Sequence, residues 1–366
     1  MLGARTPSSA LERAARMSSK AVAPTKTSCA VRCGRDVRAP SATKFHNRTG
    51  LTAVLALSLR IMTNNDWPSL VLEEWQDTLA TLHMWTQIVG KIRLKLTPLI
   101  NHWWNVTLYV SARGLTTTAM PYQDRIFEIE FDFIDHKLRI ECSDGASKIL
   151  PLRPQSVADF YQEVMSALRD LGINVKIWPM PVEIPNPIRF DQDQVDKSYD
   201  AEYVNRFWRA LVCIDDVFKN FRSRFIGKVS PVHFWWGSFD HAVTRFSGRP
   251  APPREAADKW TQEAYSHEVI SHGFWPGGNG VQAAFYSYTS PEPAGLSESK
   301  IKPAAAFYSP DLKEFLLPYD AVRQSASPEK ALMDFLQSTY EAGANLAKWD
   351  REALERPEPI RSASGQ

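Results

Sequence analysis

A pair of adjacent tryptophans occurs twice in this chain, each time in similar surroundings. Residues 97–104 read TPLINHWW and residues 230–236 read SPVHFWW, and an arginine follows each pair at the same spacing, Arg113 and Arg245. Two further matches keep the same order: DFYQ at 159–162 with DFLQ at 334–337, and LP at 150–151 with LP at 317–318. Ordered matches of this kind predict that one structural unit is used twice within the chain.

Hydrophobic periodicity predicts the same succession of elements in both halves. Apolar residues three and four apart over 72–92 indicate an amphipathic helix, and strict alternation over 127–133 indicates a strand with one buried face. In the second half, 203–225 reads as a helix and 233–246 as the strand that matches 101–113. We therefore predict an α+β fold: two pseudo-symmetric helix–four-strand–helix repeats, with antiparallel sheets packed against helices in a single compact domain.

Composition divides the chain into segments of different kinds. The predicted boundaries are a basic leader at 1–61, a first repeat at 62–177, a Pro-rich connector at 178–200, a second repeat at 201–355 with an insertion at 247–282, and a disordered tail at 356–366.

The leader differs in charge from everything that follows it. Residues 1–61 hold eleven Lys or Arg against two acids, Glu12 and Asp36, which leaves 32 basic and 39 acidic side chains for the rest. Three interpretations of the leader stay open: a translation start that in fact lies at Met62, a disordered tail, or a targeting segment, since transit peptides are also Arg- and Ser-rich and poor in acids.

The acidic remainder excludes several classes of function. A general nucleic-acid binder needs clustered Lys and Arg, so no nucleic acid is expected as a partner. The apolar run at 51–59 is too short to span a bilayer, so no membrane association is expected. Cys142 and Cys213 are isolated, which favours a reducing, cytoplasmic location without a structural metal. We expect no cofactor, and a monomer, because an internal duplication has less need of a true dimer.

The second tryptophan-pair strand departs from the first where chemistry would be placed. With the two pairs aligned, Ser238 and Asp240 occupy the positions of Val106 and Leu108. Alternate strand residues share a face, and a charge that faces a core is unfavourable unless it is paired. We predict that Asp240 belongs to a binding or catalytic site in the second repeat. The alternative is a structural salt bridge or a solvent-exposed edge strand.

His267 and Glu268 are the further candidates for acid–base chemistry together with Asp240. His267 and His272 are five residues apart, whereas zinc-binding histidines on a helix are four apart, so no metal site is predicted. The run at 273–280 is glycine-rich but lacks a phosphate-binding pattern, and predicts a lid-like loop over an aromatic pocket. The predicted ligand-binding residues are His233, Trp235, Trp236, Ser238, Arg245, Phe274 and Trp275.

Other polar residues of the sequence are predicted to be structural. Arg113 is expected to pair with an acid such as Glu128 or Asp132, and His83 and His102 read as hydrogen-bonded interior histidines.

Seven motifs between Trp67 and Leu354 carry a resemblance to a known family. They are LHMWTQ at 82–87, NHWW at 101–104, FDFIDH at 131–136, GSFD at 237–240, TRFSG at 244–248, YSHE at 265–268 and FWPGG at 274–278. By these motifs the chain resembles an uncharacterised bacterial domain-of-unknown-function family, the 5996 family. The resemblance implies no activity, cofactor or catalytic residue.

Two hypotheses of function follow. In the first, the chain binds or transforms a small, anionic or aromatic molecule in a pocket of the second repeat, near Asp240. In the second, it is a non-catalytic interaction or scaffold module that exposes an apolar patch instead of a closed cavity.

Overall fold

The computed structural model describes residues 67–356. The predicted leader, and the predicted tail beyond residue 356, lie outside the described residues.

The first half contains two helices and six strands. Glu73 and Glu74 near the N-terminus of the first helix, and Arg93 and Lys95 near its C-terminus, complement its dipole. The second helix begins after Ser156, whose side chain accepts a hydrogen bond from the backbone N–H of Asp159. The elements are α1 (Leu72–Leu96), a 3-10 turn (Asn101–Trp103), β1 (Tyr109–Val110), β2 (Gly114–Thr116), β3 (Met120–Tyr122), β4 (Arg125–Asp132), β5 (Lys137–Cys142), β6 (Ser147–Pro151) and α2 (Val157–Asp170).

These strands form one antiparallel sheet in the order β1-β2-β4-β5-β6, with β3 pairing with β4 as well. Alternate residues of β4 are buried, as the sequence pattern predicts. Phe131 lies opposite Leu138 of β5, and its ring stacks on Phe160 of α2. The Phe160 ring in turn stacks on Trp85 of α1, with 4.5 Å between the ring centroids. Aromatic packing therefore joins the sheet to both helices.

The second half again has one long helix before and one after a six-stranded sheet, together with three short helices. Its elements are α3 (Ala201–Ser223), β7 (His233–Trp235), β8 (Asp240–Pro250), α4 (Lys259–Ala264), β9 (His267–Trp275), β10 (Ala284–Ser290), a 3-10 turn (Leu296–Glu298), β11 (Phe307–Ser309), β12 (Glu314–Pro318), α5 (Tyr319–Arg323), α6 (Pro328–Leu346) and α7 (Arg351–Leu354).

The second sheet is antiparallel in the order β11-β12-β10-β9-β8-β7. Helices α3 and α6 cover one face, on which several polar side chains are buried. His241 contacts Asp215 of α3, His272 contacts Thr339 of α6, and Arg245 donates to the backbone carbonyl of Phe221 in α3. The opposite face of β8, β9 and β10 is left for the candidate site.

The two sheets meet at one point. Leu108 and Phe234 exchange backbone hydrogen bonds of 2.9 Å in each direction, and both side chains are fully buried. The halves consequently share a core. None of the helices in residues 67–356 combines the length and apolar character needed to cross a bilayer.

The α+β class is confirmed, but the predicted four strands per half are wrong, because each sheet has six. The two tryptophan motifs also differ in conformation. Residues 101–113 do not form one strand: His102 and Trp103 have positive φ in a 3-10 turn, whereas Trp235 ends β7. The duplication therefore stays a prediction, although both halves follow the order helix, sheet, helix.

Candidate functional site

A cavity of about 200 Å³ lies against the face of the second sheet that α3 and α6 leave uncovered. Its floor is formed by β8, β9 and β10. The 3-10 turn and α4 close one side, and the end of α1, the connector and the turn before β8 close the other. Five of the lining residues are tryptophans: Trp103, Trp104, Trp235, Trp236 and Trp260.

The floor follows from strand geometry. Asp240, Ala242 and Thr244 alternate along β8, so all three face the cavity. The register places Ala242 opposite Gly273 of β9 and Thr244 opposite Ser271. The Thr244 and Ser271 hydroxyls lie 2.9 Å apart, so they satisfy each other at the surface of the cavity.

Gly273 gives the floor its shape. A Cβ atom at this position would lie 2.3 Å from the ring of Tyr286, which is its partner in β10. Only glycine therefore lets the Tyr286 ring lie flat across β9. In that position the Tyr286 hydroxyl reaches over the strand and donates a hydrogen bond to Oδ2 of Asp240.

Asp240 is the most deeply placed charged group of the cavity, with 4% of its surface exposed. It begins β8 and pairs in register with Trp235 of β7. An almost buried carboxylate needs hydrogen-bond donors, and the Tyr286 hydroxyl supplies one. The cavity thus has a defined polar end.

A pair of hydrogen-bonded phenols lies further along the floor. The hydroxyl oxygens of Tyr265 and Tyr288 are 2.9 Å apart, and the rings of Tyr286 and Tyr288 stack with 6.2 Å between centroids. Burial, reinforced by Tyr288, raises the pKa of Tyr265 well above its usual value. Tyr265 is therefore a neutral hydrogen-bonding group at physiological pH.

The roof consists of α4 and the 3-10 turn. The rings of Trp260 and Trp103 lie with their centroids 3.3 Å apart. Asp258 caps α4 by accepting hydrogen bonds from the backbone N–H groups of Trp260 and Thr261, at 2.9 and 3.0 Å. One short capped helix consequently holds Trp260 over the cavity.

His102 lies beneath the roof and is neutral. Its Nδ1 is 3.2 Å from the carbonyl oxygen of Ala264, and its Nε2 is 2.6 Å from Nζ of Lys228. Burial, and then the charge of Lys228, lower the pKa of His102 to about 4. The geometry fits an imidazole that donates from Nδ1 and accepts from Lys228 at Nε2.

The wall beside Asp240 carries a second acid. Oε2 of Glu183 accepts a hydrogen bond of 3.0 Å from the Ser238 hydroxyl. Glu183 lies in the segment predicted as a connector, and the adjacent Val182 is fixed by two hydrogen bonds, of 2.8 and 2.9 Å, with the Gln87 amide. The connector is therefore part of the cavity wall and more than a linker.

The electrostatic character of the cavity is acidic. Asp240 and Glu183 carry carboxyl groups, His102 is neutral, and no Lys or Arg is among the described residues that line the cavity. Such a lining disfavours an anionic ligand. The anionic branch of the first hypothesis is therefore not supported.

Four residues of the predicted site line the cavity: Trp235, Trp236, Ser238 and Asp240. The other six do not, and their catalytic or binding roles are not supported by the geometry. Arg245 follows Thr244 on β8, so it points to the helix side, where its guanidinium lies 3.5 Å from the ring centroid of Phe221. Phe274 likewise packs against Phe285 and Tyr319 on that side.

The predicted acid–base pair of Asp240 and His267 is separated by the register. His267 lies opposite Pro250, at the other end of the β8–β9 pair from Asp240. With roughly 3.3 Å per strand residue, the two side chains are far beyond hydrogen-bonding distance. Glu268 is engaged elsewhere, in a salt bridge of 2.6 Å with Arg249.

His233 and Trp275 lie outside the cavity as well. His233 is buried among aromatic rings, of which that of Trp235 is 5.4 Å away between centroids. Trp275 lies against the glycine turn that follows it, beside Gly278. That turn does not form a lid: the Gln282 side chain bonds Glu73 at the start of α1, and α4 is the element that covers the cavity.

Arg113 and His83, two of the three residues expected to be structural, make contacts of the predicted kind, whereas the third, His102, is hydrogen-bonded but lines the cavity. Nε of Arg113 lies 2.7 Å from Oδ2 of Asp132. His83 lies 2.9 Å from the carbonyl oxygen of Gly237, and burial lowers its pKa to about 4.

Sequence reasoning missed the tyrosines, Glu183 and Trp260. The tyrosines had a signal, because Tyr286 and Tyr288 alternate on one strand and must share a face. Glu183 and Trp260 had none, since each lies in a segment without periodicity and reaches the cavity only through tertiary packing. Within residues 67–356, no group of three His, Cys, Asp or Glu side chains could hold a metal ion.

Comparison with known proteins gives one match. No curated protein and no solved structure matches the chain. A family model, described as a family of unknown function, matches residues 67–356, which is the whole described region. The chain therefore belongs to the family of unknown function DUF5996.

Proposed function

We propose that this chain binds a small molecule with a largely aromatic or aliphatic surface in the cavity over β8, β9 and β10. One observation carries the proposal: an almost buried carboxylate, Asp240, is held by Tyr286 at the end of a cavity lined by five tryptophans. Ligand sites are typically concave and apolar, with a few polar groups that fix orientation.

Polar side chains that converge in a cleft argue against the scaffold hypothesis. That hypothesis expects an exposed apolar patch. Here the tryptophans surround a recess, and Asp240, Tyr286 and Ser238 face into it. Asp240 and the Tyr286 hydroxyl also form a proton acceptor–donor pair, so a bound molecule with an exchangeable proton would meet acid–base chemistry there.

The expectations on state and location are part of the proposal. We propose a reducing compartment such as the cytoplasm, because Cys142 and Cys213 are isolated in the sequence and neither belongs to a CxxC pattern. We also propose a monomer, because an internally duplicated chain has less need of a true dimer. We also propose that the two helix–sheet–helix halves arose by duplication, which superposition of residues 67–177 on 201–355 tests.

Filling the cavity tests the binding proposal. Ala242 lies on the floor, so Ala242→Phe places a ring in the recess, whereas Ala353→Phe makes the same change at an exposed position of α7. A panel of small aromatic and aliphatic compounds is screened by thermal shift. Compounds that stabilise the wild type are expected to stabilise Ala353→Phe equally and to leave Ala242→Phe unchanged. Equal stabilisation of all three proteins contradicts the proposal.

A further inference from the structure

We propose that the ligand of this cavity is an organic ammonium ion, with its charged nitrogen at the Asp240 end and its apolar body along the floor. This inference rests on the proposed function and specifies the class of molecule that the cavity binds. It starts from the charge of the lining, in which Asp240 and Glu183 are the ionisable acids and the one histidine, His102, is neutral. A cation is the charge type that two carboxylates in a recess attract.

The two acids lie on the same side of the cavity. Ser238 and Asp240 belong to the turn and strand start that follow Trp236, and Glu183 bonds the Ser238 hydroxyl at 3.0 Å. Gly237, which lies between Trp236 and Ser238, has no Cβ, and a Cβ there would lie 3.0 Å from Oε1 of Glu183. The glycine thus lets the second carboxylate approach the strand that carries the first.

Aromatic walls suit the same class of ligand. Indole and phenol rings attract cations through their π faces, most strongly where water is excluded. Trp235, Trp236 and Tyr286 lie near the acidic end, and Trp104 and Phe246 line the far end. Charged carboxylates combined with aromatic rings bind ammonium groups that have lost most of their hydration.

The protein itself shows that rings at the far end accept a cation. Nζ of Lys228 lies 4.9 Å from the ring centroid of Phe246 and 5.6 Å from that of Trp104. Lys228 is not part of the lining and is held by His102. Its charge disfavours a second cation at that end. At the other end Nζ of Lys91 lies 5.9 Å from the ring centroid of Trp236, but there the two carboxyl groups favour the nitrogen of an ammonium ligand.

The inferred orientation leaves an apolar path for the rest of the ligand. Ala242 lies two residues beyond Asp240 on the floor, and Val106 and Leu94 also line the cavity. Val269 lines the end near Phe246. The body that this path fits is an aromatic or aliphatic group.

The test compares three probes of similar shape and different charge. Benzyltrimethylammonium is the cation, neopentylbenzene is its uncharged isostere, and phenylacetate is the anion; each is titrated into the full-length protein while tryptophan fluorescence is recorded. We expect the cation to bind at least about tenfold more tightly than the isostere, and phenylacetate to bind most weakly.

Charge-removing variants identify the acids. Asp240→Asn and Glu183→Gln are each expected to weaken binding of the cation about tenfold or more and to leave binding of neopentylbenzene unchanged. Glu352→Gln, at an exposed position of α7, is the matched control and is expected to behave as wild type. If Asp240→Asn does not fold, the Glu183→Gln variant and the ranking of the three probes on the wild type still test the ammonium assignment.

The outcomes separate this inference from the function on which it rests. Equal binding of the cation and its isostere, or tighter binding of phenylacetate, overturns the ammonium assignment and leaves a small-molecule site. Equal effects of the two charge removals on cation and isostere also overturn it. Absence of binding by all three probes to the wild type overturns the inference and the proposed function together.

Discussion

At the scale of single residues, Gly273 determines what the floor of the cavity can be. Its missing side chain allows Tyr286 of β10 to lie across β9 and reach Asp240 of β8. Three strands therefore form the polar end of the cavity together. In the sequence, Gly273 is the first glycine of the run at 273–280, and the sequence alone does not indicate this role. Its role depends on the strand register, which brings it opposite Tyr286.

Gly273→Ala is expected to destabilise the fold by about 1–3 kcal/mol, because the added Cβ overlaps the Tyr286 ring. Denaturant unfolding measures the change. The same substitution made on a Tyr286→Ala background is expected to cost much less, since the obstructing ring is gone. An equal cost on both backgrounds contradicts the proposed packing.

His233 provides a residue-scale prediction on pH. Burial, followed by the charges of His241, Arg93 and Arg222, lowers its pKa to about 3, below the value of about 6.5 in an unfolded chain. The unfolded state therefore binds the extra proton between these two values, and the free energy of unfolding falls as pH decreases through that window.

His233→Phe keeps an aromatic ring among Trp104, Tyr109 and Trp235 but cannot be protonated. We expect the free energy of unfolding of this variant to depend less steeply on pH between about 6.5 and 4, by up to about 1.4 kcal/mol per pH unit. Urea unfolding at a series of pH values gives both slopes, and parallel slopes contradict the prediction.

At the scale of elements, the cavity depends on one six-residue helix. Helices this short are not stable on their own, so α4 is maintained by its Asp258 cap and by the contact between Trp260 and Trp103. We therefore expect the roof to be the part of the site that opens at the lowest free energy.

Asp258→Ala is expected to raise the rate of amide hydrogen exchange in residues 259–264 while the exchange of β8 and β9 stays unchanged. Loss of a cap costs about 0.5–2 kcal/mol, and here that loss acts on a local opening. Asp350→Ala is the matched control, because Asp350 caps α7 at the backbone N–H of Ala353. The prediction is contradicted if both variants leave exchange over α4 at the wild-type rate.

Elements with a regular hydrophobic pattern over many residues were predictable from the sequence. Short strands, and strands buried on both faces, were not. The stripes that predicted helices at 72–92 and 203–225 correspond to α1 and α3, and the alternation at 127–133 corresponds to β4. Strand β9 lies within the predicted insertion, because its sequence does not alternate: helices cover one of its faces and the cavity lies on the other.

The candidate site was predictable to a smaller extent, for a related reason. Asp240 stood out because a charge replaced an apolar residue on an alternating face. Residues such as Arg245 and Phe274 were close in sequence but one position out of phase, and a shift of one residue moves a side chain to the other face of the sheet. Glu183 came from a segment whose position depends on the completed fold.

At the scale of the whole molecule, the halves are joined in several places beside the Leu108–Phe234 bridge. Trp208 of α3 donates a hydrogen bond of 3.2 Å to the carbonyl of Ser111, next to β1. The Tyr319 hydroxyl donates to the carbonyl of Pro68, at 2.9 Å, before α1 begins. Each half is therefore completed by residues of the other.

We expect residues 67–356 to unfold in one cooperative transition. Tryptophan fluorescence and far-ultraviolet circular dichroism should give the same midpoint in urea, because neither half keeps a closed core without the other. Two separated transitions, or a folded fragment of residues 201–355 alone, contradict this expectation.

The bridge between Leu108 and Phe234 also affects how the protein behaves in a crowded solution. Edge strands of a sheet present unpaired backbone groups that can pair with strands of other molecules. Here β1 and β7 are the edge strands at which the two sheets meet. They lie against each other, so each shields the backbone groups of the other from foreign strands. The other edge strands are β3 and β11, which are three residues long, and β6, which carries Lys148. All three are poor templates for aggregation, so a substitution that opens the bridge would expose two new edge strands at once.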